Sequence, residues 1–286
     1  MTKVEKKRVS ILGCGWLGFP LAQRLLIHDI SSEVKGSTTS ASKLALFESE
    51  GIQGYQFDLA PDFMADHQQI ESFMDCDILI IAIPPKLAKT GQDFHVQQIQ
   101  AVINAQSYSS TKEIIYISST SIYPELNRVV TEEDVTFPEQ SPAPAMVKAE
   151  NLLTALRPQK TVSILRLGGL LGYGRIPGKY VRGQKDMTTG SIPVNYIHRD
   201  DAAGVIAQIV ATGIKNETFN IVAPSHPTRE EVYVTGCEQF GWEPPTFITP
   251  DPLPDFKIIS AEKLGRSYEY EFKYPDPLQF YYESDE

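Results

Sequence analysis

The stretch Val9-Ser10-Ile11-Leu12-Gly13-Cys14-Gly15-Trp16-Leu17-Gly18-Phe19-Pro20-Leu21-Ala22 constrains the fold more than any other. An apolar strand runs straight into Gly13-x-Gly15-x-x-Gly18, and Leu17, Leu21, Leu25 and Leu26 then form a helical apolar stripe. Gly13 suits a tight turn, Gly15 lets backbone approach an anion, and Gly18 lets the new helix sit close to the strand. The anion would rest at the helix N-terminus, where unpaired N–H groups point outward. On this reading Gly13, Gly15, Trp16, Leu17 and Gly18 cradle the diphosphate of a dinucleotide.

The rest of the first half alternates short apolar runs with helical patterns at the spacing of βαβ units, which predicts a Rossmann-type, doubly wound parallel sheet of the α/β class. After a helix over about Phe19 to His28 come a strand at Glu33 to Gly36, a helix at Ser40 to Ser49 and a strand at Tyr55-Gln56-Phe57. Asp77 to Ile83 is the strongest strand, and its continuous apolar run suits a central position covered on both faces. A helix over Gln92 to Tyr108 and a strand at Ile114 to Ile117 follow. Pro124 to Pro144, with five carboxylates, is expected as a surface loop before a helix over about Ala145 to Leu156. The strand Thr161 to Leu167 runs into the glycine-dense Gly168 to Arg175. Later come strands at Pro193 to Ile197 and Phe219 to Val222, and helices at Asp200 to Thr212 and Arg229 to Phe240. A nucleotide domain over 1–170 and a small C-terminal substrate-side lobe over 171–286 are expected, with 190–225 returning to the main sheet.

Of the 286 residues, 26 are basic and 36 acidic, for a formal charge of −10, which disfavours nucleic acid and anionic membranes as partners. Cys14, Cys76 and Cys237 have no metal-like spacing, so neither a disulfide framework nor a metal site is expected, and they read as reduced cytoplasmic thiols. No run approaches the roughly 20 apolar residues of a membrane span.

The end of the second strand selects the cofactor. An acid there would accept from both hydroxyls of an adenosine ribose, but this chain has Lys35-Gly36-Ser37-Thr38-Thr39-Ser40, followed by Lys43. Hydroxyls and an ammonium hold a 2′-phosphate that a carboxylate would repel, so Ser37, Thr38 and Thr39 favour NADP, with NAD as the alternative. Asp58, beside Leu59, is placed to accept from an adenine amino group or to cap a turn. Ile83, Pro84 and Pro85 end the central strand on the cofactor side. Ser118 and Ser119 sit at a strand's carboxyl end, where such sheets bind ligands.

Taken together, Gly13-x-Gly15-x-x-Gly18, Ser118-Ser119-Thr120-Ser121-Ile122-Tyr123, Lys148-Ala149-Glu150, Leu165-Arg166-Leu167-Gly168-Gly169, Gly172-Tyr173-Gly174-Arg175, Asn195 to Asp201 and Phe219-Asn220-Ile221-Val222 resemble the extended short-chain dehydrogenase/reductases. These form the NAD-dependent epimerase/dehydratase family of nucleotide-sugar enzymes. The resemblance implies that Ser119 orients a hydroxyl or carbonyl substrate and that Lys148 holds the nicotinamide ribose. It also implies a small-molecule substrate and homodimers built through the helices of Gln92 to Tyr108 and Ala145 to Leu156.

The family's catalytic tyrosine, four residues before its lysine, is missing, because Pro144 stands there. Proline carries no transferable proton and no backbone donor. The first glycine of the usual motif is also displaced, with Leu12 in its place. Both departures resemble the atypical, YeeZ-like branch of the superfamily. Tyr123 and Tyr173 are the candidate stand-in phenols, and His198 reads as structural, with Asp200 or Asp201 capping the next helix. Two further readings stand beside an oxidoreductase or epimerase. One is a non-catalytic NADP-binding redox sensor or regulator. The other follows from the likeness of Gly13 to Ala22 to the opening of nucleotide-sugar 6-dehydrogenases, and requires a long helical second half.

Overall fold

The computed structural model describes residues 6–85, 91–106 and 109–284. Thirteen strands lie within them: β1 Lys7–Leu12, β2 Ser31–Thr38, β3 Gln53–Gln56, β4 Asp58–Leu59, β5 Phe63–Met64, β6 Ile78–Ile81, β7 Glu113–Ser119, β8 Arg128–Val130, β9 Thr161–Leu167, β10 Gly169–Leu171, β11 Tyr196–His198, β12 Thr218–Ile221 and β13 Lys257–Ile259. Their helices are α1 Gly18–Ile27, α2 Leu44–Ser49, α3 His67–Met74, α4 Gln92–Gln106, α5 Pro144–Thr154, α6 Arg199–Thr212, α7 Arg229–Gln239 and α8 Glu262–Ser267. Tyr108, the expected end of α4, lies outside the described residues.

Seven strands form one sheet in the order β3-β2-β1-β6-β7-β9-β12. All six pairings are parallel. The order reverses between β1 and β6, so the crevice outside their carboxyl ends is where a ligand enters a sheet of this kind.

Alternation along the central strands builds a core on each face. Ile78 and Ile80 of β6 pack with Leu21 and Leu25 of α1, Phe47 of α2 and Ile206 of α6. Leu79 and Ile81 pack with Phe73 of α3, Val102 of α4 and Leu153 of α5. All four β6 residues are fully buried, each burial being worth about 1.5–3 kcal/mol. The uninterrupted apolar run is what a strand covered on both faces requires.

The segment 124–144 is more than the surface loop its prolines and carboxylates suggest. Its β8 pairs in parallel with β13 of the tail, Val130 lying opposite Ile259. Glu132 is buried and accepts from the Asn220 backbone N–H at 2.7 Å. The β4–β5 hairpin leaves no sequence signal, since strands of two residues are too short to show a period, and the eight-residue helix α3 is a further element outside the sequence expectation.

Neither Asp200 nor Asp201 caps α6. His198 does so itself, its Nδ1 accepting from the Asp200 N–H at 3.1 Å while Nε2 reaches the Tyr281 carbonyl at 3.2 Å. Asp201, fully buried, accepts from Tyr270 Oη and from the backbone N–H groups of Lys273 and Tyr274, and so ties down the tail. Asp200 accepts from Tyr173 Oη at 2.9 Å.

An accepting Nδ1 requires a neutral ring, and burial pushes the His198 pKa below its ordinary value. As pH falls, the unfolded chain takes up this proton first. The stability from His198 is therefore whole above about pH 6.5 and is lost as pH drops below it. His198→Asn keeps a capping oxygen but cannot titrate. The fall in urea-unfolding free energy between pH 6.5 and 5 is expected to be shallower in this variant; equal slopes in variant and parent would show that His198 does not contribute.

Candidate functional site

The crevice at the strand ends is a cleft of about 730 Å³. Its floor is the glycine turn. Gly13 has φ +93°, and a Cβ on it would stand 2.8 Å from the Ala82 carbonyl oxygen. One on Gly18 would stand 2.7 Å from the Gly13 carbonyl oxygen, whereas one on Gly15 would meet nothing within 4 Å. Two of the three glycines are thus demanded by packing, and the third leaves open space inside the cleft.

The turn is held from β2. Ser37 Oγ accepts from the Gly13 N–H at 2.9 Å, and the Ser37 carbonyl accepts from the Cys14 N–H at 2.8 Å. The Ser37 hydroxyl thereby braces the turn while keeping its own hydrogen, and the residue lines the cleft. Thr38, Thr39, Lys43, Asp58 and Leu59 also line it. Thr38 Oγ1 accepts from the Ser40 N–H at 3.2 Å. Asp58 and Lys43 are exposed.

Further walls come from Ile83, Pro84 and Pro85 after β6 and from Ser118 and Ser119 at the end of β7. Ser118 is buried, and its hydroxyl donates to Glu150. Ser119 Oγ accepts from the Ser121 N–H at 3.1 Å. A hydroxyl keeps its own hydrogen when it accepts, so Ser119 can still donate to an oxygen in the cleft. Trp16 and Leu17 complete the set assigned from sequence.

Lys148 is exposed on α5 and falls outside the lining of the cleft, which Met146 joins. Positions two apart on a helix point about 200° apart, so the two cannot share a face. The rotation of α5 is set by Glu150, one turn after Met146, which enters the core to meet Arg166 at 2.7 Å. Pro144 is the first residue of α5, where its missing N–H costs no helical bond.

The two candidate phenols also fall outside the lining of the cleft. Tyr123 is fully buried, donating to Asn220 Oδ1 and accepting from Arg166 Nη1, each at 2.7 Å, and desolvation pushes its pKa up to about 12. Tyr173 is directed to Asp200. Among the described residues, no tyrosine lines the cleft. Residues that sequence reasoning did not assign to it include Phe57, Gln98, Met146, Leu170 and Arg175. Gln98 shows why, since its side chain donates to the Leu59 carbonyl at 2.7 Å across a separation that no local motif spans. Arg175 follows Gly172-Tyr173-Gly174, and no local signal points it at this cleft.

No family model matches the chain. Its fold is shared by DesIV of Streptomyces venezuelae, a dTDP-glucose 4,6-dehydratase solved with NAD bound, at TM-score 0.74 and 15% identity over 92% of this chain and 91% of that one. The UDP-Glc/GlcNAc 4-epimerase of Campylobacter jejuni gives TM-score 0.73 and 15% identity over 96% of both chains. The fold, a seven-stranded parallel sheet flanked by helices, is thus shared with solved dehydratase and epimerase structures. In sequence the chain is 32% identical to Protein YeeZ of Escherichia coli K12 over 272 residues, covering 95% of this chain and 98% of that protein. It belongs to the YeeZ family. The reading as a nucleotide-sugar 6-dehydrogenase is set aside, because the chain after residue 160 interleaves β9 to β13 with helices rather than forming a helical half.

Proposed function

We propose that this protein binds a nicotinamide dinucleotide, NADP in preference to NAD, along the cleft from Asp58 to Ser119. We propose further that it acts as an oxidoreductase or epimerase on a hydroxyl or carbonyl substrate such as a nucleotide sugar. The observation that carries the reading is the open space above Gly15 in a cleft that also holds a serine hydroxyl free to donate. Gly15, Trp16 and Leu17 would hold the diphosphate at the start of α1, and Thr38, Thr39 and Lys43 a 2′-phosphate. Asp58 and Leu59 would border the adenine, and Ile83, Pro84 and Pro85 the cofactor's far wall. Bound there, nicotinamide supplies or accepts a hydride. Ser119 would hold the reacting oxygen by a hydrogen bond.

With Lys148 outside the lining of the cleft and, among the described residues, no phenol lining it, proton transfer would fall to solvent. The same observation favours a second reading, a redox sensor that distinguishes NADPH from NADP without interconverting them. The three cysteines are free and buried, which suits a cytoplasmic setting. No described helix is long and apolar enough to cross a membrane. A second copy would dock through α4 and α5.

NADPH consumption measured over a panel of carbonyl compounds and nucleotide sugars separates the readings. Turnover reduced about tenfold or more in Ser119→Ala, within the range of a single positioned hydrogen bond, supports the enzyme. Binding that differs between NADPH and NADP with no turnover supports the sensor. Absence of binding to either would sink both.

A further inference from the structure

We infer that Arg175, reaching over from the substrate-side loop, forms the second half of the diphosphate site and closes on the anion opposite the glycine turn. The inference rests on the dinucleotide reading and adds a residue to it. Trp16 belongs to the turn that starts α1, and its ring carries two guanidiniums: Arg175 at 3.8 Å and Arg199 at 5.0 Å from the centroid. Arg199 also lies 3.7 Å from the Tyr173 ring. A cation over an aromatic face is attracted by the ring quadrupole, which holds the charge in place without neutralising it.

No carboxylate pairs with Arg175 or Arg199 among the described residues. Asp200, the nearest acid in sequence to Arg199, is taken by Tyr173 Oη and Lys273 Nζ. Arg199 Nε is buried without a hydrogen-bond partner. Desolvation and the neighbouring Arg199 charge both lower the Arg175 pKa. Two adjacent guanidiniums without a carboxylate partner repel each other, an arrangement that an anion would relieve.

The same spot offers the other half of an anion site. No side chain caps α1, and its first turn carries no acid, whereas Asp66, His198 and Thr228 each cap a later helix. Trp16, Leu17 and Arg175 line one cleft, and the Arg175 side chain is exposed on its rim. A diphosphate at the start of α1 would thus meet N–H groups on one side and a planar fork on the other, the geometry in which guanidinium binds phosphate bidentately. Residues 175–185 hold Arg175, Lys179, Arg182 and Lys185 and no acid, so the loop that brings Arg175 to the cleft is itself basic.

The test titrates the full chain with NADPH, ADP, inorganic diphosphate and adenosine, reading binding heat and the fluorescence of Trp16 in a Trp242→Phe background. Arg175→Ala is expected to weaken NADPH, ADP and inorganic diphosphate by about tenfold and to leave adenosine unchanged. Arg175→Lys, which keeps the charge but not the fork, should fall between. Parent-like affinities for all the diphosphate ligands in Arg175→Ala would overturn the clamp, as would an effect confined to a substrate's KM. Inorganic diphosphate bound in an Arg175-dependent way, with NADPH not bound, would remove the dinucleotide reading and leave the clamp standing. The exposed position of Arg175 makes an unchanged Tm the expected control.

Discussion

Arg166→Ala is expected to lower unfolding free energy by about 3–5 kcal/mol, the cost of stranding one partner of a buried ion pair. Arg166 lies on β9 with 4% of its surface exposed, and its guanidinium is fully used. Nε and Nη2 bind Glu150, the closest contact being 2.7 Å. Nη1 donates to Tyr123 Oη at 2.7 Å and to the Glu132 carbonyl at 3.0 Å, and Nη2 to the Val135 carbonyl at 2.9 Å. Alanine would remove all of these and leave the Glu150 carboxylate buried against the Ser118 hydroxyl alone. Lysine should rescue little, because one ammonium cannot reproduce the fork. Pairing Arg166→Met with Glu150→Met should recover much of the loss, since the stranded charge goes with its partner. Urea unfolding of Arg166→Met, Glu150→Met and the double closes the cycle. A loss under 1 kcal/mol in Arg166→Ala would show that the pair does not support the fold.

The same network explains where sequence reasoning succeeded and where it stopped. β1, the glycine turn and α1 are contiguous, and each step rests on neighbours in the chain, so the unit is legible from residues 9–26. The central strands are legible too, because burial on both faces writes a continuous apolar run into β6. The rotation of α5 is different. Whether Met146 or Lys148 enters the cleft depends on Glu150 finding Arg166, a contact across 16 residues that no helical period records. Tyr123 sits beside the serine cluster in sequence, yet Arg166 and Asn220, 43 and 97 residues away, draw its hydroxyl into the core. The pairing of β8 with β13 joins Arg128 to Lys257 through three-residue strands that give no signal alone. Ser37 adds a contact that no local pattern shows: the hydroxyl at the end of β2 accepts from the Gly13 N–H and so braces the turn from the neighbouring strand.

Gly15→Val is expected to weaken NADPH binding by about a hundredfold, or ~2.7 kcal/mol, while leaving Tm within about 2 °C of the parent. The expectation separates ligand space from packing space inside a single motif. At Gly13 and Gly18 an added Cβ would press on backbone carbonyl oxygens at 2.8 and 2.7 Å, and Gly13 also holds φ +93°. Alanine at either should therefore cost fold stability, about 1–3 kcal/mol where the backbone has to shift. At Gly15 a Cβ would enter the cleft and touch nothing within 4 Å. A valine there fits the folded chain but stands where a diphosphate would have to approach the start of α1, and displaces it from the uncapped N–H groups. Calorimetric titration with NADPH beside thermal unfolding of the same samples reads both halves. Full-strength NADPH binding by Gly15→Val would mean that the space above Gly15 is not where the dinucleotide lies. A Tm drop as large as that of Gly18→Ala would mean that Gly15, too, is kept for packing. Weakened binding at unchanged stability is the one result in which the turn acts as a cradle rather than as a tight connection between β1 and α1.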